Sequence, residues 1–332
     1  MSSYSKPPTS ISNQGPAALL PETMRVFERG WLSSNSVLFQ GAGATALVDS
    51  GYATHASQTL SLVESTLGAR RLDLILTTHL HSDHCGGHAR LQRAWGSDVL
   101  VPKAEIELVR EWREQEFNFA LTGQKCERFF CGGALAVGAV LTLGELRWEI
   151  VAAPGHDPNA IMLYCASEQI LISADALWEN GFGVVFPELE GDPGYAQTRR
   201  TLESIQGLAI RLVIPGHGAP FTDIDKSLKA AFSRLDYLQA DPTRGARHAL
   251  RVLLKFSLLE HRVLLIADLP RTFAPVPLVS RVNRRFLQLE DEKLCELVVR
   301  ELVGSGAATV EGAYLVNQDG PRASRTSGKA PP

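Results

Sequence analysis

Between Thr78 and His84 the chain reads Thr-His-Leu-His-Ser-Asp-His, which puts His79, His81, Asp83 and His84 within six consecutive positions. Neutral imidazole and carboxylate oxygen are the ligands expected for zinc, and also for iron or manganese, so spacing alone does not name the metal. The run Leu72-Asp73-Leu74-Ile75-Leu76-Thr77 before them reads as a strand. In an extended segment alternate side chains share a face, so His79, His81 and Asp83 are expected to project into one space while Leu80 and Ser82 point elsewhere. His84 turns off that line where the chain bends into Cys85-Gly86-Gly87, a position from which it can serve a neighbouring ion. A lone histidine is most often satisfied by a core hydrogen bond; three imidazoles crowded beside a carboxylate need a shared partner. Three more stretches complete the candidate set: Gly155-His156, Ala174-Asp175 and Gly216-His217-Gly218. Together the seven side chains read as one site for two divalent ions.

The elements around these residues alternate. Strand-like stretches are expected at 24–31, 36–40 and 44–48, then a helix over 53–67, the histidine-bearing strand, a helix after Gly87, a strand at 99–101 and a helix over 104–112. Residues 113–133 carry no readable pattern. A second series of strands is expected at 140–143, 146–153, 161–165, 170–173 and 209–214, with a helix over 195–205 before the last. His156, Asp175 and His217 all fall where predicted strands end, the usual place for catalysis on a rigid sheet scaffold. His88 reads as a packing or surface residue, and His55, His248 and His261 have no clustered partners.

With 332 residues, 45% of them hydrophobic and 21% charged, the chain can bury a sizeable core and is long enough for about two units. The expected division is a flexible segment at 1–22, a catalytic domain at 23–240, a helical, winged-helix-like domain at 241–317 and a disordered tail at 318–332. A net charge of -3 gives no general pull toward nucleic acid or anionic membrane. Five scattered cysteines without a Cys-x-x-Cys pair read as reduced thiols. Met1 to Pro21 lacks the apolar stretch of an export signal, and no segment approaches the ~20 apolar residues of a membrane span. A cytoplasmic location, with homo-oligomers allowed, is the expectation.

The ordered set Thr78 to His84, Gly155-His156, Ser173-Ala174-Asp175 and Gly216-His217-Gly218 resembles the metallo-β-lactamase fold superfamily over roughly residues 24–225. The resemblance implies an α/β fold, an αββα sandwich of two mixed sheets with helices outside. It also implies that His79, His81 and His156 hold one ion, that Asp83, His84 and His217 hold the other, and that Asp175 bridges both. Asp49, in the strand-end Asp-x-Gly, then supports the ligands from behind. The cofactors expected are two divalent metal ions, zinc first, with iron or manganese as alternatives.

Two such ions make water reactive at neutral pH, which gives metal-assisted hydrolysis, with Asp83 as catalytic residue orienting the nucleophile and passing a proton to the leaving group. Thioester, ester and lactone bonds are the leading substrates. Glyoxalase-II-like thioesterases usually have Thr after the third histidine ligand, where this chain has Asp157. Signal-lactone hydrolases place Tyr shortly after the bridging Asp, where this chain has Trp178. The segment from Leu177 to Pro187 is rich in aromatic and small residues and suits either an apolar substrate wall or a packed loop, which favours a small-molecule acyl partner. The alternatives are a phosphodiesterase or endoribonuclease, and an iron-dependent sulfur dioxygenase-like oxidoreductase. Between Thr243 and Val316, 11 Lys and Arg face 8 Asp and Glu, too slight an excess to mark a nucleic-acid face.

Overall fold

Strand β4 (Leu74–Leu76) lies in the middle of a six-stranded sheet in the computed structural model, which describes residues 19–318. The segments expected at 1–22 and 318–332 therefore lie, except for residues 19–22 and 318, outside the described residues. The sheet runs in sequence order: β1 (Met24–Phe27), β2 (Ser36–Phe39), β3 (Ala46–Val48), β4, β5 (Asp98–Pro102) and β6 (Cys131–Leu135). The first three strands pair antiparallel, and β3 to β6 pair parallel. Parallel neighbours need long crossovers. These are supplied by α1 (Ala56–Leu67), by α2 (Ser82–Cys85) with α3 (His88–Trp95), and by α4 (Ile106–Glu111) with α5 (Asn118–Thr122).

A second sheet, ordered β11-β10-β9-β8-β7, is built from β7 (Val140–Leu143), β8 (Leu146–Ala152), β9 (Ile161–Cys165), β10 (Ile170–Ala174) and β11 (Leu212–Pro215). Helices α6 (Phe186–Glu190) and α7 (Gly194–Gln206) carry the chain from β10 to its parallel neighbour β11, and α8 (Ile224–Gln239) follows.

The period of two along each strand sorts side chains into layers. Val37 and Phe39 enter the core between the sheets, where they meet Trp148, Ile150, Ile161, Leu163, Ile172 and Ile214 of the second sheet. Leu38, between them in sequence, faces the opposite way with Ile75 and Val99 against Leu60, Val63 and Leu91 of α1 and α3. On the far side of the second sheet Met162, Tyr164, Leu171 and Val213 pack on Leu202, Ile205, Ala231 and Leu235 of α7 and α8. The result is helices, sheet, sheet, helices.

The C-terminal region follows an Asp241 cap, whose side chain accepts from Thr243 N ahead of Pro242 in the first helical turn. It contains α9 (Pro242–His261), β12 (Val263–Leu265), α10 (Leu269–Thr272), α11 (Pro277–Val282), α12 (Asp291–Gly304), β13 (Ala308–Glu311) and β14 (Tyr314–Asn317), the strands ordered β12-β14-β13. A helix and a short strand come first, then further helices and a closing antiparallel hairpin, so the region is helical as expected, with β12 as a strand the sequence did not show. Its core of Leu250, Leu254, Val279, Val298 and Leu315 also takes in Val184 and Leu189 from the β10–α7 connection. Among the described residues no helix is long and apolar enough to cross a membrane.

Candidate metal centre

The histidine motif departs from the extended line expected of it. Strand β4 ends at Leu76, the chain bends at Thr78, and His81, itself extended, caps α2, so Asp83 and His84 project from a helical turn. The turn fits because Gly86 closes it against Ala53 and Ser82: a Cβ there would lie 2.4 Å from Ala53 N and 2.5 Å from Ser82 O. Two other strand ends are strained into place. Asp49, after β3, has φ 56°, and Ala174, before Asp175, has φ 45°; non-glycine residues there cost energy and persist where the surroundings fix them. The β10–β11 pairing shifts register between Ile172 and Ala174, and such a bulge re-aims the side chain that follows it.

All seven predicted side chains converge. The ring nitrogens His79 Nε2 and His81 Nδ1 are 3.1 Å apart, His84 Nε2 lies 3.4 Å from Asp175 Oδ1, and His156 Nε2 lies 3.3 Å from Asp175 Oδ2. His217 Nε2 is 3.1 Å from Asp83 Oδ2 and 3.9 Å from Asp175 Oδ1. Tetrahedral ligands ~2.1 Å from one ion sit roughly 3.4 Å from each other, the range seen here. Three sets, His79/His81/His156, His79/His84/Asp175 and Asp83/His84/His217, each offer ligand atoms within 4.8 Å of one another. The buried Nε2 atoms of His84 and His156 have no hydrogen-bond partner among the described residues. A buried polar atom without a partner is costly, so the donor set fits a divalent ion.

The outward ring nitrogens of His84 and His156 are held. Asp49 Oδ2 accepts from His84 Nδ1 at 2.7 Å and from Thr78 Oγ1 at 2.7 Å, while Asp49 Oδ1 takes Thr78 N at 2.9 Å. Val184 O accepts from His156 Nδ1 at 2.5 Å. These contacts leave the opposite nitrogens facing inward, the arrangement that orients metal-binding histidines. Burial, with neighbouring imidazoles, holds His79 and His81 well below the ordinary imidazole range. Burial lowers His156 as well. Burial works against the charged form of Asp175, yet His84 and His217 hold its carboxyl well below the carboxylate range. His84 moves the other way: burial opposes its charge, but Asp175 and Asp49 raise it well above the usual value. Asp157, buried beside Glu105, is pushed up to about 7.

Three aromatic residues flank the cluster, and the sequence pointed only to the segment that holds two of them. Trp31 stacks on His217 with centroids 5.4 Å apart and planes 8° from parallel, though 56% of it remains exposed. Trp178 meets the edges of both, and its Nε1 donates to Asp175 Oδ1 at 3.2 Å. Phe186 lies 5.1 Å from His81 and 5.6 Å from His156. Trp31 was expected on a strand, but β1 ends at Phe27 and Trp31 sits in the following loop, so no periodic signal could have placed it. His88 is a packed residue, held between Ser50 Oγ and Thr77 Oγ1. His55 bonds Ser33 Oγ, outside the cluster.

The metallo-beta-lactamase superfamily model matches residues 29–217, which span every one of the seven side chains. The chain belongs to this superfamily. A hydroxyacylglutathione hydrolase from Brucella anthropi is 27% identical over 161 residues, 48% of this chain and 50% of the relative. The acyl-coenzyme A thioesterase MBLAC2 of Homo sapiens is 25% identical over 219 residues, covering 58% of this chain and 75% of the relative. The chain thus spans half the length of the bacterial relative. A metallo-beta-lactamase family protein from Thermus thermophilus superposes with a TM-score of 0.54 over 89% of this chain and 99% of its own, at 21% identity, which shows the shared fold.

Proposed function

We propose that His79, His81 and His156 hold one divalent ion, that Asp83, His84 and His217 hold a second, and that Asp175 stands between them, in a metal-dependent hydrolase of acyl thioester, ester or lactone bonds. The observation that carries this reading is Asp175, with one oxygen 3.4 Å from the partnerless Nε2 of His84 and the other 3.3 Å from the partnerless Nε2 of His156. Zinc suits the mixture of imidazole and carboxylate. When bound, the ions supply Lewis acidity and lower the pKa of water from 15.7 toward about 7.

The chain's own groups divide the remaining work. Asp83 is the one member of the set that is not fully buried, so it alone reaches toward solvent and incoming substrate. It orients the nucleophile and carries its proton to the leaving group. Trp178 fixes the Asp175 carboxylate through its indole N–H. The faces of Trp31, Trp178 and Phe186 offer an apolar wall for an acyl group. The two curated relatives, one a hydroxyacylglutathione hydrolase and the other an acyl-coenzyme A thioesterase, favour thioesters within this class.

The test is a panel of a thioester, a simple ester, a lactone, a phosphodiester and single-stranded RNA, assayed after reconstitution with zinc, manganese or iron and paired with elemental analysis. Acyl turnover that rises with about two ions per chain supports the reading. Full activity in metal-free protein, or preference for the phosphodiester or RNA, overturns it, as does an Asp83→Asn protein with undiminished acyl turnover.

A further inference from the structure

One residue past the ligand His84, two thiols touch. Cys85 ends α2 and is wholly buried, while Cys126 lies 41 positions further on, in the irregular stretch between α5 and β6, and is partly exposed. Their sulfurs are 3.7 Å apart, in van der Waals contact, and among the described residues no other two of the five cysteines meet. Cys85 Sγ donates to His81 O at 3.2 Å, and Cys126 Sγ to Cys85 O at 3.8 Å. The pair is therefore bonded to both ends of the turn that presents Asp83 and His84. Neither thiol takes part in the hydrolysis proposed above.

Residues 124–130, which carry Cys126, form neither helix nor strand and are laid against α2. Gln124 accepts through Oε1 from Ser82 Oγ, and Lys125 N donates to Tyr52 Oη at 3.3 Å. The turn is tied as well, by Ser34 N to Asp83 O at 2.9 Å and by Ser50 N to His84 O at 2.7 Å. A disulfide holds its sulfurs at about 2.05 Å, so joining this pair requires a closure of roughly 1.7 Å. With both sides tied, the closure is shared between them, and Cys85 Sγ gives up His81 O. Metal–ligand distances tolerate only about 0.2 Å, so about an eighth of the closure reaching α2 is enough to spoil the geometry at Asp83 and His84.

We propose that Cys85 and Cys126 are a site of reversible oxidation by hydroperoxides, and that their disulfide weakens the hold of Asp83 and His84 on a divalent ion. Cys126, the sulfur within reach of solvent, attacks the hydroperoxide. An S–O bond forms as the O–O bond breaks, the other oxygen leaves with the thiol proton as water or alcohol, and Cys126 becomes a sulfenic acid. The Cys85 sulfur then attacks that of Cys126: the S–S bond forms, the S–O bond breaks, and hydroxide leaves as water with the proton of Cys85. The two thiols lose two electrons and the peroxide gains them; a dithiol reductant reverses the step by exchange. The bond rests on the two sulfurs alone, and its consequence rests on the metal-centre reading.

The test treats full-length, zinc-loaded protein with hydrogen peroxide and follows thiols and metal separately. Thiol titration in denaturant is expected to fall from five groups per chain to three, and peptide mass spectrometry without reductant to show Cys85 joined to Cys126 within one chain. Zinc affinity, read by competition with a chelator, is expected to drop about tenfold, the low end of what misoriented ligands cost, and to return with dithiothreitol. Cys126→Ser is expected to bind zinc as the reduced wild type does and to lose none of that affinity on peroxide treatment. Zinc-binding protein that keeps five thiols, or that joins other cysteines or other chains, overturns the proposal and leaves the metal reading intact. A Cys85–Cys126 link with unchanged zinc affinity overturns it too, as does an equal loss of affinity in Cys126→Ser, which would place the damage on other side chains. Protein that forms the link but takes up no zinc in either state would remove the metal reading, and with it the consequence claimed for the bond.

Discussion

Asp49 touches no substrate in this arrangement, yet three donors converge on it: Thr78 N, Thr78 Oγ1 and His84 Nδ1. Asp49→Ala leaves the ring of His84 free to turn, and partners of this kind are typically worth 10–100-fold in metal affinity. The expected outcome is a loss of about that size in zinc competition with a chelator, with the fold retained by circular dichroism; unchanged affinity would dismiss the positioning role. Gly216 is more severe. A Cβ there would sit 2.1 Å from Asp175 Oδ1 and 3.0 Å from His84 Cε1, so Gly216→Ala is expected to displace the carboxylate and abolish stoichiometric metal uptake, as elemental analysis would reveal. At this scale the candidate set was legible because ligand chemistry is written in residue types: three histidines and an aspartate in six positions have few other uses. Trp31 was not legible, because its meaning comes from a stack on His217, 186 positions away in sequence.

Strands and helices were legible where side chains alternate between two buried layers, as at Val37, Leu38 and Phe39, and less so where tertiary contacts decide. The expected extended line through Asp83 gave way to α2, because backbone bonds from Ser34 N to Asp83 O and from Ser50 N to His84 O hold the turn from outside. The unreadable stretch 113–133 contains α5 and the start of β6, whose pattern is masked because Gly132 and Gly133 supply no side chain to alternate. The loop before β2 also clamps the loop after β11. Asn35 donates from Nδ2 to Pro215 O at 3.0 Å and Gly218 O at 2.7 Å, and Asn35 N donates to Gly216 O at 2.6 Å. Asn35→Ala removes both of these side-chain bonds, and the one its Oδ1 accepts from Arg29 N at 2.9 Å, and leaves buried carbonyls unpaired, at about 1–3 kcal/mol. The expected result is a shift of that size in urea denaturation together with weaker occupancy of the ion that His217 would hold. Normal occupancy with the full stability loss would make Asn35 a fold residue and no more.

Across the whole molecule the C-terminal region is tied to the metal loops through α9, where Glu260 accepts from Tyr52 Oη at 3.1 Å and Phe256 packs edge-on against the same ring. Loss of either part is therefore expected to be felt by the other, and acid is a graded way to apply it. His88, wholly buried behind the motif, and His248, between α8 and α9, are both pushed down to about 3, burial being the main cause. In the unfolded chain each titrates near 6.5. Between about 6.5 and 3 the unfolded state binds more protons than the folded one, so stability falls with pH by up to about 1.4 kcal/mol per unit for each group, and neither contributes above that window. The lowered carboxyls of Asp83 and Asp175 add a loss in the same direction, but only below the ordinary carboxylate range. His84, raised by Asp175 and Asp49 against its burial, works oppositely, its contribution present below 6.5 and lost as pH rises through its folded value. His88→Gln isolates one contribution. At pH 7.5 the variant is expected to be less stable than wild type, having exchanged two good hydroxyl contacts for poorer ones. By pH 5 the gap should narrow by about 2 kcal/mol, because only wild type keeps a neutral buried imidazole that the unfolded chain would protonate. Denaturant melts of metal-free protein at the two pH values measure this directly, and parallel losses in both proteins would show that acid sensitivity resides elsewhere.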